Sequence, residues 1–96
     1  MTRKVLLDLN LPAFQDDLLA LEPNEVRLVL KTLRKLPTLD WAAVYRDPRL
    51  KREQIKGAPG KFTVRLSRSN RAVVHRDDHL RFIALHTDHD AAYGSR

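Results

Sequence analysis

The sequence predicts an α+β domain of the order β-α-α-β-β-β, in which a helical hairpin covers one face of a small antiparallel sheet. Two patterns carry this prediction. Apolar residues recur at helical spacing between residues 11 and 36, whereas they alternate with polar residues from residue 61 to residue 66. The length of 96 residues suits one core, so we expect a single domain over residues 1–96.

The first half of the chain predicts a short strand and two helices. Residues 3–7 are patterned as the strand. Asn10 is a suitable N-cap for a first helix, because Pro12 then falls in its first turn. A second helix is expected to begin at Pro23 and to end before Pro37. Its apolar stripe comprises Val26, Val29, Leu30, Leu33 and Leu36.

The segment between the hairpin and the sheet predicts two short elements. Asp40 can cap a helix over residues 41–45, and Pro48 would end it. Trp41, at the start of this helix, is expected to fill the core under the hairpin. Residues 50–56 can form a strand, and the glycines and proline of residues 57–60 predict a turn.

Three strands are expected from residue 61 onward. Phe62, Val64 and Leu66 alternate with polar residues, so one face of this strand can seal a core while the other meets solvent. Asp77 and Asp78 suit a tight hairpin, because aspartate tolerates the left-handed backbone of short loops. The last of the three predicted strands is the apolar run at residues 80–85, which follows this hairpin. The sheet is therefore expected to be a meander.

The positive charge is concentrated in the second half of the chain. Residues 1–45 contain six Lys/Arg and six Asp/Glu, whereas residues 46–96 contain twelve against six, which accounts for the net charge of +6. All four histidines lie in this second half as well. A basic half on a balanced scaffold attracts polyanions or an acidic protein. The alternative is a cationic surface that serves solubility alone.

Composition also limits where the protein works. The chain has no cysteine, so disulfides and thiolate metal sites are excluded. Asp8 interrupts the first apolar run too early for a signal peptide. The longest uninterrupted apolar run, residues 41–45, is far too short to span a membrane. We therefore expect a cytoplasmic protein.

Four short strings occur in an informative order: LKREQIKG at residues 50–57, KFTVRL at 61–66, NRAVV at 70–74 and HDAAY at 89–93. Together with the predicted element order, they resemble the RelE/ParE toxin superfamily. The resemblance implies a β-α-α-β-β-β fold and a place in a type II toxin–antitoxin pair. The implied partners are a cognate antitoxin protein, mRNA and the ribosome, with assembly into a toxin–antitoxin hetero-oligomer.

The resemblance implies one of two activities. RelE-like members are endoribonucleases that cut mRNA, usually on the ribosome, whereas ParE-like members inhibit DNA gyrase without cutting. In the first branch, basic residues at positions similar to Arg65 and Arg71 contact the scissile phosphate. A late tyrosine matches Tyr93, with His86 and His89 nearby. An inactive relative that binds only an antitoxin is the remaining alternative.

This chain departs from the ribonuclease pattern at three places. Thr63 stands where many ribonucleolytic members carry a second strand lysine, and Asn70 stands where an aromatic residue is common. The usual late arginine is absent, with His89 and Asp90 around its place. The missing lysine favours the gyrase-inhibitor alternative. The histidines and the late tyrosine favour the nuclease, because an inhibitor that acts by contact needs no proton-transfer groups.

The chemistry of metal-free RNA cleavage assigns roles to these residues. Arginine matches phosphate oxygens with a forked, permanent charge, so Arg65 and Arg71 are predicted to hold the phosphate. His89 is predicted as acid or base, since histidine titrates near neutral pH. Tyr93 can donate a proton or stack on a base. Glu53 is a reserve base. Neither a cofactor nor a metal is expected, although His86 and His89 are spaced like a metal-site fragment.

Further cations are predicted to bind RNA outside the phosphate site. These are Lys51, Lys56, Lys61 and Arg68. Each candidate also has a structural alternative. Arg65 can be a solvated cation or an antitoxin contact, His89 can cap the chain end, and Tyr93 can pin the tail to the sheet. His75 and His79 flank the hairpin of residues 77–78 and are expected to face solvent.

Overall fold

A computed structural model gives the structure of the chain and describes residues 4–87. It confirms the predicted α+β class, with a helical hairpin before the main strands. The elements in chain order are β1 (Leu7–Asp8), α1 (Pro12–Leu19), α2 (Pro23–Lys35), a 3₁₀ turn (Leu36–Thr38), α3 (Trp41–Arg46), β2 (Glu53–Gln54), β3 (Lys61–Ser67), β4 (Asn70–Arg76) and β5 (Leu80–Thr87).

The sheet has five strands in the order β1-β5-β4-β3-β2. Strands β3, β4 and β5 form the predicted antiparallel meander, and β2 adds antiparallel to the outer edge of β3. Strand β1 pairs with β5 in parallel. A parallel pair needs a long connection, which the helices and the other strands between β1 and β5 provide. Strand β1 lies at Leu7–Asp8, later than the residues 3–7 that the sequence predicted.

The first helix begins differently from the prediction. The N-cap position is occupied by Leu11 in an extended conformation, and Pro12 is the first helical residue. Asn10 is therefore not the cap. Its backbone N–H instead donates to Oδ1 of Asp8, at 3.0 Å, in a local turn that leads from β1 into α1.

The second helix presents a narrower apolar stripe than predicted. Val29 and Leu33 are buried, whereas Leu30 keeps 42 % of its surface exposed. The helix ends at Lys35, and Pro37 lies in the following 3₁₀ turn rather than in the helix. Leu30 therefore lies on the solvent side of α2, while the stripe continues through the buried Leu36.

The short helix α3 is capped as predicted, because Oδ1 of Asp40 accepts a hydrogen bond from the Ala43 N–H at 2.8 Å. Trp41, however, is only half-buried rather than a core residue. The guanidinium of Arg76 stacks 4.1 Å from its ring centroid and donates to the Tyr45 hydroxyl at 2.9 Å. The guanidinium of a second arginine, Arg52 in the loop before β2, lies 4.2 Å from the Tyr45 ring centroid. The contacts of Arg76 thus join α3 to the end of β4, and that of Arg52 joins α3 to the loop before β2.

The core fills the space between the helical hairpin and one face of the sheet. Phe14 of α1 packs on Phe82 of β5 with ring centroids 5.2 Å apart, and both side chains are fully buried. Strand β3 contributes Phe62, Val64 and Leu66 to the same core, as the alternation predicted. The opposite face of β3 is consequently turned away from the hairpin. Within residues 4–87, no helix is long and apolar enough to cross a membrane.

Candidate functional site

Three candidate residues lie side by side on the sheet face that the hairpin leaves uncovered. Arg65 of β3 is directly opposite Arg71 of β4, and Arg71 is directly opposite His86 of β5. Residues that face each other across antiparallel strands project from the same side, with Cβ atoms about 4.5–5.5 Å apart. We call this set the arginine row. It gathers two cations and one proton-transfer group from three strands.

The side chain of Arg71 is held by several neighbours. Its Nη1 donates to Oγ1 of Thr63 at 2.9 Å and to the carbonyl oxygen of Lys51 at 3.1 Å. The same nitrogen lies 3.5 Å from Oε1 of Glu53. Only a fifth of the Arg71 side chain is exposed, and these contacts restrict the positions that its guanidinium can take.

One of these contacts uses a strained backbone. Lys51 has a φ of 46°, which is the left-handed region that residues with a side chain rarely adopt. Such a conformation costs on the order of 1 kcal/mol or more and persists only where surrounding contacts impose it. Here the left-handed residue lies just after the buried Leu50, and it directs its carbonyl toward Arg71.

The short strand β2 places Glu53 next to the arginine row. Glu53 pairs with Thr63 in the β2–β3 register, so its side chain emerges on the same face as Arg71. The carboxylate is 73 % exposed and approaches Arg71 from solvent. A carboxylate in this position can accept a proton from a nearby hydroxyl, and it also competes with a phosphate for the Arg71 guanidinium.

A side chain of α2 holds the turn that precedes Arg71 by a hydrogen bond. Asn70 is almost fully buried, and its Nδ2 donates to Oε1 of Glu25 at 2.6 Å and to Oγ of Ser67 at 3.1 Å. Glu25, which accepts the shorter of these bonds, was not among the candidate residues predicted from the sequence. The signal was the polar residue at position 70, because a buried amide requires a hydrogen-bonding partner.

Ion pairs at the other end of the same face neutralise part of its charge. Nε of Arg81 lies 3.0 Å from Oδ2 of Asp8, and its Nη1 lies 3.3 Å from Oδ2 of Asp77. The hydrogen bond from Arg81 holds the pKa of Asp8 below its usual value, and the Asp8 carboxylate in turn raises the pKa of Arg81. Anion-binding capacity is therefore concentrated toward the arginine row.

The remaining predicted residues divide into three groups. Lys51 and Arg68 lie near Arg65, where they border one groove. Lys61 lies four residues from Arg65 along β3, roughly 13 Å away at the usual strand rise, and Lys56 lies in the turn at that far end. The structure therefore does not bring these two lysines to the arginine row. His89 and Tyr93 lie outside the described residues, so their roles stay predictions.

The histidines and the possible metal ligands can be placed in part. His79 is exposed, as predicted, whereas His75 is half-buried, with Nδ1 3.9 Å from Oδ2 of Asp77. Among residues 4–87, no three histidine or acidic side chains converge as metal ligands would. His86 is exposed at the end of the arginine row, where it can meet a ligand bound there.

Comparison with known proteins finds similarity in structure alone. No protein-family model matches the chain, and no curated protein matches its sequence. The structure is similar to that of the RelB–RelE antitoxin–toxin complex from Methanococcus jannaschii, with a TM-score of 0.62 and 14 % identity over 95 % of this chain and 98 % of that one.

Two further structures are similar. The YoeB dimer from Staphylococcus aureus has a TM-score of 0.55 and 20 % identity, over 84 % of this chain and 93 % of that one. The conserved hypothetical protein HP0894 from Helicobacter pylori has a TM-score of 0.58 and 23 % identity, over 91 % and 94 % of the respective chains. Together with the element order described above, these similarities show that the chain has the fold of the RelE toxins.

Proposed function

We propose that this protein is the toxin of a type II toxin–antitoxin pair and that it cleaves mRNA without a metal ion, assisted by the ribosome. The observation that supports the proposal is the arginine row, in which two arginines and a histidine are direct neighbours on three adjacent strands, on the sheet face away from the helices. The RelE-type fold supports the toxin role. A cytoplasmic location belongs to the same proposal.

In the proposed reaction, the 2′-oxygen of one nucleotide attacks the adjacent phosphorus, and the bond to the 5′-oxygen breaks. Arg65 and Arg71 hold the phosphate oxygens and stabilise the extra negative charge of the transition state. A base removes the 2′-hydroxyl proton and an acid protonates the leaving 5′-oxygen. The products are a 2′,3′-cyclic phosphate and a 5′-hydroxyl.

Several groups are candidates for the two proton transfers. We propose His86 and Glu53 for this role because His86 lies in the arginine row and Oε1 of Glu53 lies 3.5 Å from Nη1 of Arg71. His89 and Tyr93 remain proposed for the same roles, with Tyr93 as the proton donor or the base-stacking residue. A carboxylate and an imidazole together supply one acid and one base near neutral pH.

The proposed partner is an antitoxin that covers the basic face. A solved structure with this fold is a complex of a toxin with its antitoxin, which supports such a partner here. An acidic or amphipathic antitoxin segment that folds on binding would complement the charge of the second half of the chain. Its binding over Arg65 and Arg71 would exclude RNA from the same face.

One observation favours a second function, the inhibition of DNA gyrase without RNA cleavage. Thr63 replaces the second strand lysine of many ribonucleolytic members, and Glu53 brings a negative charge close to Arg71. Both features lower the positive charge available to a transition state. An inhibitor of this kind would use the same basic face to contact its target enzyme.

Mapping of RNA ends after induced expression tests the proposal. We expect expression to arrest growth and to create new 5′-hydroxyl ends in message, with cyclic phosphate on the matching 3′ ends. Arg71→Ala should abolish these ends, whereas the exposed Arg46→Ala, on α3, should keep them. Intact message accompanied by DNA damage would instead support the gyrase inhibitor. Full cleavage by Arg71→Ala would overturn the assigned site.

A further inference from the structure

A basic groove lies beside the arginine row, at the edge of the sheet. It runs between the second half of α2, the loop before β2 and the end of β3, and it encloses about 520 Å³. It arises because β2 pairs with only two residues of β3, Phe62 and Thr63, so the later part of that edge is covered by a loop. In that loop the carbonyl oxygen of Leu50 accepts the Arg65 N–H at 2.6 Å.

The groove is lined by cations from three separate segments. They are Lys31, Lys35, Arg49, Lys51, Arg65 and Arg68. None of the described residues that line it is acidic. Lys35 is partly neutralised from behind, because its Nζ lies 2.8 Å from Oδ2 of Asp47. Six cations with no acidic residue in the described lining give the groove a positive potential.

The lining also indicates what kind of chain the groove fits. Its leucines, Leu50 and Leu66, are already buried in the core, and the described lining contains no aromatic residue. A protein segment would find neither an aromatic ring nor an exposed leucine there to anchor it. By contrast, exposed leucines lie on the outer side of α2, at Leu28 and Leu30, outside the groove. Pro48 is the one exposed apolar residue of the described lining, so the groove offers mainly charged side chains with their aliphatic stems and two hydroxyl groups, from Thr32 and Ser67.

We propose that this groove binds the backbone phosphates of single-stranded RNA next to the bond that the arginine row holds. The inference rests on the proposed function and extends it to the path of the strand. Arg65 belongs to both the row and the groove, so a strand held at the row reaches the groove without a gap. Because the groove contacts phosphates and does not stack bases, its binding is independent of sequence and sensitive to salt.

A binding experiment with matched variants tests this path. The probe is a fluorescent, fully 2′-O-methylated RNA of about 12 nucleotides and mixed sequence, which can occupy such a site but cannot be cleaved. The groove variant combines K31Q, R49Q and R68Q, and the control combines R27Q, R34Q and R46Q. All six side chains are exposed, and both variants remove the same charge.

We expect the groove variant to bind the probe on the order of 10- to 100-fold more weakly near 0.1 M salt, with the salt slope reduced by about 2, since each lost phosphate contact removes about 0.7. The control should stay near wild type. Equal losses in both variants would mean a general charge effect and would overturn the proposal, as would unchanged binding in the groove variant. If the groove variant lost binding to polyglutamate but kept its binding to the RNA probe, the groove would be assigned to an acidic protein partner instead.

Together with a cleavage assay, this binding measurement tests the groove proposal and the nuclease proposal separately. If wild type cleaves unmodified RNA while the groove variant binds the probe normally, the groove assignment fails and the nuclease stands. If wild type creates no new ends in message when it is expressed in cells, where ribosomes are present, while the groove variant loses probe binding selectively, the nuclease proposal fails and the groove proposal stands. Circular dichroism melting of both variants establishes that each is folded before binding is compared.

Discussion

The hydroxyl of Thr63 accepts a hydrogen bond from Nη1 of Arg71 at 2.9 Å, across the β3–β4 pair. Thr63 stands where the resemblance to the RelE/ParE superfamily predicts a second strand lysine. In this chain the position supplies a contact for the arginine rather than a second charge.

This contact predicts a matched pair of variants. Thr63→Val keeps the size and strand preference of the side chain but removes the hydroxyl, so Arg71 loses a hydrogen bond worth about 0.5–1.5 kcal/mol. In the proposed cleavage reaction, we expect the single-turnover rate to fall by about 3- to 10-fold, and Thr63→Ser to restore most of it. Side-chain NMR of the Arg71 guanidinium should show greater mobility in Thr63→Val alone. A full rate in Thr63→Val would contradict a positioning role.

The buried amide of Asn70 predicts a large effect on stability. Asn70→Ala removes the 2.6 Å hydrogen bond to Glu25 and leaves that carboxylate without one of its donors. Loss of a hydrogen bond to a charged group costs about 1.5–3 kcal/mol, so the free energy of unfolding should fall by that amount. Urea titration measures it, and Glu25→Gln is the companion variant because it keeps the shape but removes the charge. A loss below about 0.5 kcal/mol in Asn70→Ala would show that the hydrogen bond between Asn70 and Glu25 contributes little to stability.

The ion pair of Asp8 with Arg81 predicts a pH dependence of stability. The hydrogen bond from Arg81 lowers the pKa of Asp8 in the folded state, so the unfolded state binds more protons at this group. The pair therefore stabilises the fold above the unfolded pKa of about 3.9, and its contribution disappears as pH falls through the lower folded pKa. Asp8→Asn should be less stable than wild type at pH near 7. The difference in free energy of unfolding between wild type and Asp8→Asn, measured by urea titration, should disappear at pH near 2. A difference that does not change with pH would contradict a stabilising ion pair between Asp8 and Arg81.

Two leucines of α2 predict opposite outcomes for the same substitution. Leu33 is 4 % exposed and faces the sheet, so Leu33→Ala should lower the free energy of unfolding by about 2–5 kcal/mol. Leu30 is 42 % exposed, so Leu30→Ala should change it by no more than about 0.5 kcal/mol. Thermal and urea unfolding of the pair checks the orientation of the helix. Equal losses would mean that Leu30 also packs in the core.

The sequence predicted the fold wherever one local rule determined the outcome. Alternation at Phe62, Val64 and Leu66 placed the core face of β3, and Asp40 marked the start of α3. Asn10 failed as a cap because the extended conformation falls on Leu11, the residue directly before Pro12, and Asn10 is used in the turn from β1. Such competition between adjacent residues depends on where the previous strand ends, which the periodicity does not specify.

The candidate site was predictable in part for a similar reason. Arg65 and Arg71 were identified, and their direct pairing followed once the β3–β4 register was known. The contacts of Arg71 with Lys51 were not predictable, because they depend on a left-handed residue in an irregular loop. Glu25 was missed because its link to Asn70 joins residues 45 positions apart.

The stacking of Arg76 on Trp41 has a practical consequence. The chain contains a single tryptophan, and the Arg76 guanidinium stacks on its ring near the end of β4 that is distant from the arginine row. Intrinsic emission from this indole therefore reports whether α3 is docked, and it stays constant when an oligonucleotide occupies the opposite end. One optical signal can thus follow unfolding in the presence of nucleic acid without interference from binding.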